Sequence, residues 1–308
     1  MKPATTIIDN AAWADAAPKL SVLIPCFRDD PTRLLAALDQ TDAAVEVVVL
    51  DDGSNDPEMA VRVAEAVRGM NIAARFIQLG SNQGRAEGRN RLAAVARGGH
   101  LLFLDADMLP DAPDFLLRWL YLIDLEDPAV AFGGFSLDQA PRTRANAVHR
   151  ALALRSDCAP AEARRLTPEK YVFTSNLLIR RDVFDAEPFD AGFVGWGWED
   201  VEWGMRVSRR HPIHHIDNAA THLGLTPAAA IAAKFEQSVV NFGRVVAAHG
   251  DIVRGYPSYR VARALKRAPL RALWRPWLKA AALFEAGPAG PRAFALRLYR
   301  AALYAEAV

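Results

Sequence analysis

The chain has 308 residues, of which 51% are hydrophobic and 24% are charged, with 37 basic against 36 acidic side chains. This composition is that of a soluble globular protein with a sizeable core. The two cysteines, Cys26 and Cys158, exclude a disulfide framework and a cysteine-rich zinc site, and they fit a reducing compartment.

The beginning of the chain does not predict a signal peptide. Residues 1–20 contain Asp9 and Asp15 and lack a basic stretch followed by an apolar block. No apolar run in the sequence approaches the roughly 18 residues that cross a bilayer. We therefore expect a cytoplasmic protein that is soluble or attached to the membrane surface.

Strand and helix signals alternate over residues 20–110. Apolar, β-branched runs typical of buried parallel strands lie near 20–25, 45–50, 74–79 and 101–104. Helices are predicted between them over about 31–41, 57–68 and 85–97. Pro25 should end the first strand, because a strand interior does not tolerate proline. The alternation predicts right-handed βαβ units and a mostly parallel sheet.

Three of these strands end in polar segments, at 25–28, 51–54 and 105–107. Ligands of parallel sheets bind beyond the carboxyl ends of the strands, so the three segments should meet in one crevice. Asp105 and Asp107 are two residues apart and point to the same side of an extended chain. Their carboxylate oxygens suit Mg²⁺ or Mn²⁺. The alternative is that the two aspartates simply belong to a solvated turn. Gly-x-Gly-x-x-Gly and Walker patterns do not occur in these loops, which disfavours dinucleotide and P-loop sites.

After residue 110 the pattern becomes less regular. It predicts a helix over 111–125, strands near 130–133, 173–179 and 213–217, and a helical or irregular segment over 140–165. Thr226 and Pro227 predict the N-cap and first residue of a long helix that Gly250 ends.

In the segment 193–203, glycines alternate with tryptophans, and two acids follow directly. This arrangement predicts a flexible loop that closes over a ligand, with Trp196 and Trp198 as platforms for sugar rings. Glu199 and Asp200 should begin a helix, where acids are favoured. A partly desolvated carboxylate beside such aromatic rings suits a general base, while helix capping is the alternative role. The other carboxylate would hold an acceptor hydroxyl or a structural arginine such as Arg206.

Together these segments resemble the inverting nucleotide-sugar glycosyltransferases of family 2, which have the GT-A fold. Residues 48–56 are similar to the family's V-D-D-G-S-x-D stretch, 82–90 to its N-x-G-x-x-x-A-R-N loop, and 104–107 to its D-x-D motif. Residues 21–28 resemble its first strand. Residues 195–202 resemble a G-W-G-x-E-D-x-E segment typical of the branch with chondroitin-type polymerases, galactosyltransferases and mucin-type transferases. Retaining enzymes carry a similar segment, so the stereochemistry stays open.

The resemblance implies a role for individual residues. Those implied to bind the nucleotide-sugar donor are Pro25, Arg28, Asp52, Arg85, Arg89, Asn90 and Asp105. Those implied to hold Mn²⁺ or Mg²⁺ are Asp105, Asp107 and His222. Asp200 is implied to be the general base, Glu199 to assist it, and Trp196, Trp198 and Glu199 to bind the acceptor. Trp198 stands where the branch has a small residue, which would narrow the acceptor site. A structural or exposed position is the alternative for His222.

The predicted fold is α/β: a GT-A (Rossmann-like), mostly parallel sheet flanked by helices. We expect an N-terminal lead segment (1–19), a catalytic domain (20–224) and a helical extension (225–308). The catalytic domain should have a nucleotide-binding half (20–110) and an acceptor half (111–224).

The extension is strongly basic, since residues 252–300 contain eleven Lys and Arg side chains and one acid, Glu285. Indoles mixed with cations over 270–279 are typical of membrane-interfacial segments. One hypothesis is that this region attaches the protein to the inner face of a membrane that holds the acceptor. The alternative is a helical face packed on the catalytic domain. Nucleic-acid binding lacks a supporting motif.

The expected activity is metal-dependent transfer of a sugar from a nucleotide-sugar, with UDP as the expected nucleotide, to a hydroxyl of a glycan or lipid-linked glycan. A sugar nucleotidyltransferase is the alternative enzyme, but the segment 25–30 lacks its Gly-rich loop. A non-catalytic nucleotide-sugar-binding scaffold is the third interpretation. Both acidic motifs are intact, which disfavours it.

Overall fold

The structure, a computed structural model, describes residues 5–39, 44–268 and 271–308. Its strands are β1 Thr6–Asp9, β2 Leu20–Cys26, β3 Val45–Asp51, β4 Ala73–Gln78, β5 His100–Phe103, β6 Met108–Pro110, β7 Val130–Phe132, β8 Phe135–Ser136, β9 Leu177–Arg180, β10 Ile213–His215 and β11 Ala220–His222. Its helices are α1 Thr32–Leu38, α2 Pro57–Gly69, α3 Arg85–Val95, α4 Phe115–Glu126, α5 Ala147–Ser156, α6 Ala161–Arg164, a 3₁₀ helix Pro168–Tyr171, α7 Arg181–Ala186, α8 Glu199–Val207, α9 Ala228–Ala248, α10 Gly250–Val253, α11 Pro257–Lys266, α12 Arg271–Leu283 and α13 Ala289–Tyr304.

The main sheet has the strand order β1-β4-β3-β2-β5-β9-β7-β10. β3 is buried along its whole length, as its unbroken run of valines predicts for a central parallel strand. β1 runs antiparallel to β4, and β9 runs antiparallel to both of its neighbours. Helices cover both faces, with an apolar core on each side of the sheet. The predicted α/β fold, a mostly parallel sheet flanked by helices, is confirmed.

Two predicted boundaries are wrong. β2 continues through Pro25 to Cys26, because the ladder with β5 has already ended at the pair Leu23–Phe103 and needs no N–H from the proline. α9 begins one residue later than predicted, with Pro227 at its N-cap and no side-chain cap. Thr226 instead donates its backbone N–H to Nδ1 of His149 at 2.9 Å. The predicted helix over 31–41 is present as α1, and residues 40 and 41 lie outside the described residues.

A second, three-stranded sheet has the order β6-β11-β8. β11 pairs antiparallel with β6, and this register sets His222 opposite Met108. Asp107 directly precedes Met108, and its carbonyl accepts the N–H of Leu223 at 2.8 Å. The small sheet therefore places His222 beside Asp107, which follows β5, although 115 residues separate them in the chain.

The described part of the chain beyond residue 225 is helical and packs on elements that lie between residues 111 and 224. Leu296, Tyr299 and Tyr304 of α13 are buried in one apolar core with Phe242 of α9 and Met205 of α8. Of the two hypotheses for the basic region, packing on the catalytic domain is therefore observed for α13. Among the described helices, none combines the length and the apolar character that a membrane span requires.

Candidate functional site

A crevice of about 1280 Å³ runs along the carboxyl ends of the central strands and continues to α13. The residues predicted for the site that line this crevice are Pro25, Asp52, Arg85, Arg89, Asp105, Asp107, Trp196, Trp198, Glu199, Asp200 and His222. Arg28 and Asn90, both predicted to bind the donor, do not line it. The structure thus brings most of the predicted residues to one place.

Asp52 closes one end of the crevice by holding the loop before α3. Its two carboxylate oxygens accept backbone N–H groups from Gln83 at 2.7 Å and Gly84 at 2.9 Å. Burial raises the pKa of Asp52 against the effect of these two hydrogen bonds. Gly53 has a φ of +74°, and a Cβ there would lie 2.4 Å from the backbone of Ser81. Only glycine permits this close approach of the two loops.

The structure gives Arg28 and Asn90 other positions. Arg28 is exposed, and its backbone N–H donates to Oγ of Ser54 at 2.7 Å. Both polar atoms of the Asn90 side chain bind the backbone of Phe189, at 2.9 and 3.1 Å. Asn90 therefore joins α3 to the loop after α7. Neither residue lines the crevice, and their contacts with a donor stay predictions.

Two arginines of α3 surround Asp105. Arg89, whose side chain is 2% exposed, donates from Nη2 to Oδ1 of Asp105 at 2.5 Å. Nη2 of Arg85 lies 4.0 Å from the other oxygen of the same carboxylate. These cations pair with the carboxylate of Asp105, and its predicted contact with a metal ion stays a prediction.

Asp107 and His222 form a contact of their own. Nε2 of His222 lies 3.0 Å from Oδ2 of Asp107. Burial opposes ionisation of Asp107, but the hydrogen bond and charge of His222 outweigh it, and the pKa of Asp107 lies below its usual range. Nδ1 of His222 is buried without a hydrogen-bond partner among the described residues. A Cβ at Gly224 would meet Oδ2 of Asp107, so glycine is required beside this pair.

The pair fits a divalent cation better than the predicted triad does. Within the described ranges, no group of three or more His, Cys, Asp or Glu side chains could hold a metal ion. The 3.0 Å between Nε2 of His222 and Oδ2 of Asp107 is about the separation of adjacent ligands that each lie about 2.1 Å from one ion. A carboxylate suits Mg²⁺ or Mn²⁺, and an added imidazole favours the transition metal, Mn²⁺. These two side chains could therefore supply two ligands to such an ion.

Glu199 and Asp200 line the same crevice at the start of α8, and their pKa values are shifted in opposite directions. Glu199 is 3% exposed and accepts from Nε of Arg85 at 2.5 Å. Burial raises the pKa of Glu199, but Arg85 and Arg89 outweigh this effect and hold it below its usual range. For Asp200, burial and then the charge of Glu199 raise the pKa to about 7. Glu199 is therefore a carboxylate paired with an arginine, whereas Asp200 can exchange a proton near neutral pH.

The two indoles beside these acids have different surroundings. Trp198 has a φ of +77°, and its Nε1 donates to the Tyr304 hydroxyl at 2.9 Å. Its ring packs on Phe242 with 5.0 Å between centroids, so the predicted acceptor platform is largely used to hold α13. Trp196 is half-buried, lies 6.1 Å from the ring of Phe235 and keeps its indole N–H free of protein partners among the described residues. Trp196 is the better candidate for contact with a sugar.

Sequence reasoning missed three titratable residues in or beside the crevice. Lys234 of α9 lines it, and burial lowers the pKa of Lys234 although Asp107 and Asp29 raise it. Asp29 also lines the crevice, and burial and then Asp107 raise its pKa. His149 lies 5.6 Å from His222 between ring centroids, and burial, followed by the charge of His222, lowers its pKa to about 4. Of the three, Lys234 could have been found from the sequence, because it is a lysine among the apolar residues of α9.

The fold is shared with solved glycosyltransferase structures. The mannosyltransferase PcManGT of Pyrobaculum calidifontis, in complex with GDP-Man and Mn²⁺, has a TM-score of 0.58 and 15% identity, over 96% of this chain and 88% of that one. S. aureus TarS 1-349 in complex with UDP-GlcNAc has a TM-score of 0.52 and 18% identity, over 92% and 89% of the two chains. At these identities the likeness shows a GT-A-like fold.

Sequence comparison extends this result to the family. An uncharacterized glycosyltransferase of Bacillus subtilis (strain 168), YfnE, is 25% identical over 240 residues, which are 61% of this chain. The chain spans 60% of that relative's length. The model of glycosyl transferase family 2 matches residues 21–187, more than half of the chain. This match includes Asp52, Asp105 and Asp107 and ends before Asp200. The chain belongs to glycosyl transferase family 2.

Proposed function

We propose that this protein transfers a sugar from a nucleotide-sugar to an acceptor hydroxyl, with Asp200 as general base and Asp107 and His222 as ligands of Mn²⁺ or Mg²⁺. The observation that carries the proposal is that one crevice joins the Asp107–His222 pair to Asp200, whose pKa lies near neutrality. Residues 195–202, which resemble the acceptor segment of the branch with chondroitin-type polymerases, support the assignment of Asp200.

The proposed reaction is a displacement at the anomeric carbon. The acceptor oxygen forms a bond to that carbon, the bond from it to the diphosphate oxygen breaks, and the acceptor proton passes to a carboxylate oxygen of Asp200. Asp107 and His222 would hold the divalent ion, whose charge would offset that of the leaving diphosphate. We propose inversion at the anomeric carbon, as the resemblance of residues 195–202 and of the strand-end motifs to the inverting transferases of family 2 implies.

Several residues suit the donor. Lys234 and Arg85 line the crevice with the Asp107–His222 pair and supply positive charge for a diphosphate. Asp52 and Pro25 line the nucleoside end, and a carboxylate that already accepts two N–H groups retains lone pairs for a base or ribose. We propose UDP as the nucleotide, supported by the UDP-GlcNAc complex of a protein with the same fold.

A screen of donors tests this proposal. Hydrolysis of UDP-, GDP- and dTDP-sugars should be measured with and without Mn²⁺, with free nucleoside diphosphate as the readout. We expect slow hydrolysis of a UDP-sugar that requires the metal. If no donor is hydrolysed and calorimetry detects no nucleotide binding, the proposal fails.

Membrane attachment remains a second part of the proposal. Trp277 of α12 is 76% exposed, and Phe284 close to the end of this helix is 63% exposed. Such rings beside cations suit a lipid interface, where each cation contributes about 1 kcal/mol near an anionic leaflet. Leu270 of the predicted interfacial segment lies outside the described residues. The acceptor would then be a glycan or lipid-linked glycan held at the membrane.

Substitution of Trp277 by serine tests the attachment, because it leaves the packed helix α13 intact. We expect the variant to float less with anionic liposomes than the wild type, since an exposed indole no longer enters the interface. Val61→Ser on α2, 56% exposed and far from the basic region in sequence, is the control. Equal flotation of all three proteins would exclude an attachment through Trp277.

A further inference from the structure

The crevice continues beyond Asp200 into a region with an excess of positive charge. Four cations line this part: Arg155 at the end of α5, Lys170 in the 3₁₀ helix, and Arg297 and Arg300 of α13. We call these four residues the cationic cluster. Across the described ranges, none of them has a carboxylate oxygen within 4.0 Å.

The acids near the cationic cluster do not neutralise it. Asp157 also lines the crevice, and its Oδ1 accepts from the Ser156 hydroxyl at 2.7 Å. Burial raises the pKa of Asp157, against the charges of Arg300 and Arg297. Glu169 accepts from the Tyr256 hydroxyl at 2.8 Å. Four cations therefore face two acids, neither of which forms an ion pair with them, and an excess of positive charge remains.

The cations also repel one another. Burial, followed by the charges of Arg300 and Arg297, lowers the pKa of Lys170. Burial and then the charges of Arg300 and Arg155 lower the pKa of Arg297. A bound anion would relieve this repulsion, since each cation would gain an opposite charge in a partly desolvated place.

Contacts within the protein place the cationic cluster next to the proposed acceptor position. Arg297, Arg300 and Tyr304 follow one face of α13 at helical spacing. Tyr304 accepts the indole N–H of Trp198, two residues before Asp200. The Arg300 guanidinium lies 4.9 Å from the ring centre of Phe235, which in turn contacts Trp196. The cluster thus begins one side chain away from the loop that carries the proposed base.

Apolar side chains surround the cations at this end. Leu152, Val261, Phe294 and Leu298 line the same part of the crevice, and Phe294 is 59% exposed. A site that combines cations with such a rim suits an anionic group attached to a less polar body. Arginine is well matched to phosphate oxygens, since its planar group can donate two parallel hydrogen bonds.

We propose that the cationic cluster binds a phosphate-class anion carried by the acceptor, either a phosphorylated glycan or the phosphate of a lipid. The assignment of this anion to the acceptor rests on the proposed function, whereas the anion site itself rests on the cluster. The acceptor would then be held by its phosphate while a hydroxyl group reaches Asp200.

Calorimetric titration with methyl phosphate and octyl phosphate tests the site. The full chain is first saturated with UDP and Mn²⁺, so that the donor end is occupied. The test protein, the crevice variant, carries both Arg297→Gln and Arg300→Gln. The matched control carries both Arg263→Gln and Arg267→Gln, which replace two exposed cations at α11 that do not line the crevice. We expect at least about tenfold weaker phosphate binding in the variant, and wild-type binding in the control.

The two probes separate the sources of the anion. Tighter binding of octyl phosphate than of methyl phosphate supports a lipid phosphate, and equal binding supports a phosphorylated glycan. Equal affinities of wild type and crevice variant, or no phosphate binding by the wild type, overturn the proposal. Binding of UDP, GDP and dTDP is measured separately beforehand. If none of them binds, the proposed function is overturned, and the phosphate titration without nucleotide still decides whether the anion site exists.

Discussion

Replacement of Asp200 by asparagine is expected to lower the rate of sugar transfer by about 10²–10⁴-fold, the usual contribution of a general base. Asparagine keeps the shape of the side chain and an oxygen for the N–H of Val201, which lies 2.8 Å from Oδ1 of Asp200. UDP binding should be unchanged, because the proposed role of Asp200 is toward the acceptor and not toward the donor. Steady-state kinetics and UDP calorimetry on the same preparation measure both effects.

The pH dependence provides an independent test of this role. A base must be ionised to accept a proton, so transfer by the wild type should decline as the pH falls below the Asp200 pKa of about 7. Asp200→Asn should lose this pH dependence. Because the raised pKa means that folding disfavours the charged form, Asp200→Asn should also be no less stable than wild type at pH 8.

Asp185→Asn is the control for this experiment, because Asp185 is exposed on α7 and does not line the crevice. It should retain wild-type activity and the same pH profile. If Asp200→Asn instead loses UDP binding, Asp200 serves the donor, and the general base must be sought elsewhere in the crevice.

Replacement of Asp107 by asparagine is expected to abolish the effect of Mn²⁺ on UDP binding. Asparagine removes the negative charge from a site with two proposed ligands. A divalent ion depends more on a charged ligand that it contacts directly than on a residue that only contacts a ligand. The loss of affinity should exceed the roughly 10–100-fold typical of losing an outer-shell partner. Calorimetric titrations of UDP with Mn²⁺ and with EDTA measure the difference.

The matched control is Asp114→Asn, since Asp114 precedes α4 and pairs on the surface with Arg118 at 2.9 Å. This variant should bind UDP and Mn²⁺ like the wild type. A metal effect that survives in Asp107→Asn would assign the ion to other ligands, with Asp29 and Asp105 as the nearest carboxylates of the crevice.

The central features of the site could be predicted because they depend on local patterns. Apolar runs that end in acids place Asp52 and Asp107 at the carboxyl ends of parallel strands, and any βαβ sheet brings such ends together. His222 is different, since its contact with Asp107 depends on the pairing of β11 with β6. Only the resemblance to a family indicated that contact, and the structure is consistent with it.

Other features depend on packing between distant segments, which no local pattern encodes. Arg85 pairs with Glu199 across 114 residues, and Trp198 with Tyr304 across 106. From the sequence, Arg85 is predicted only to contact the donor and Trp198 only to bind a sugar ring. The charge count of the basic region likewise did not show that α13 turns Arg297 and Arg300 toward the crevice.

The pairing of Arg85 with Glu199 makes the two substrate positions electrostatically dependent on each other. Arg85 lies between Asp105 on the donor side and Glu199 beside Asp200. An anionic donor that attracts Arg85 weakens its hold on Glu199, and the less neutralised Glu199 makes Asp200 more basic. The pKa seen in kcat, which reports the loaded enzyme, would then exceed the pKa seen in kcat/KM. Under the proposed roles, the base would therefore gain strength when the donor binds.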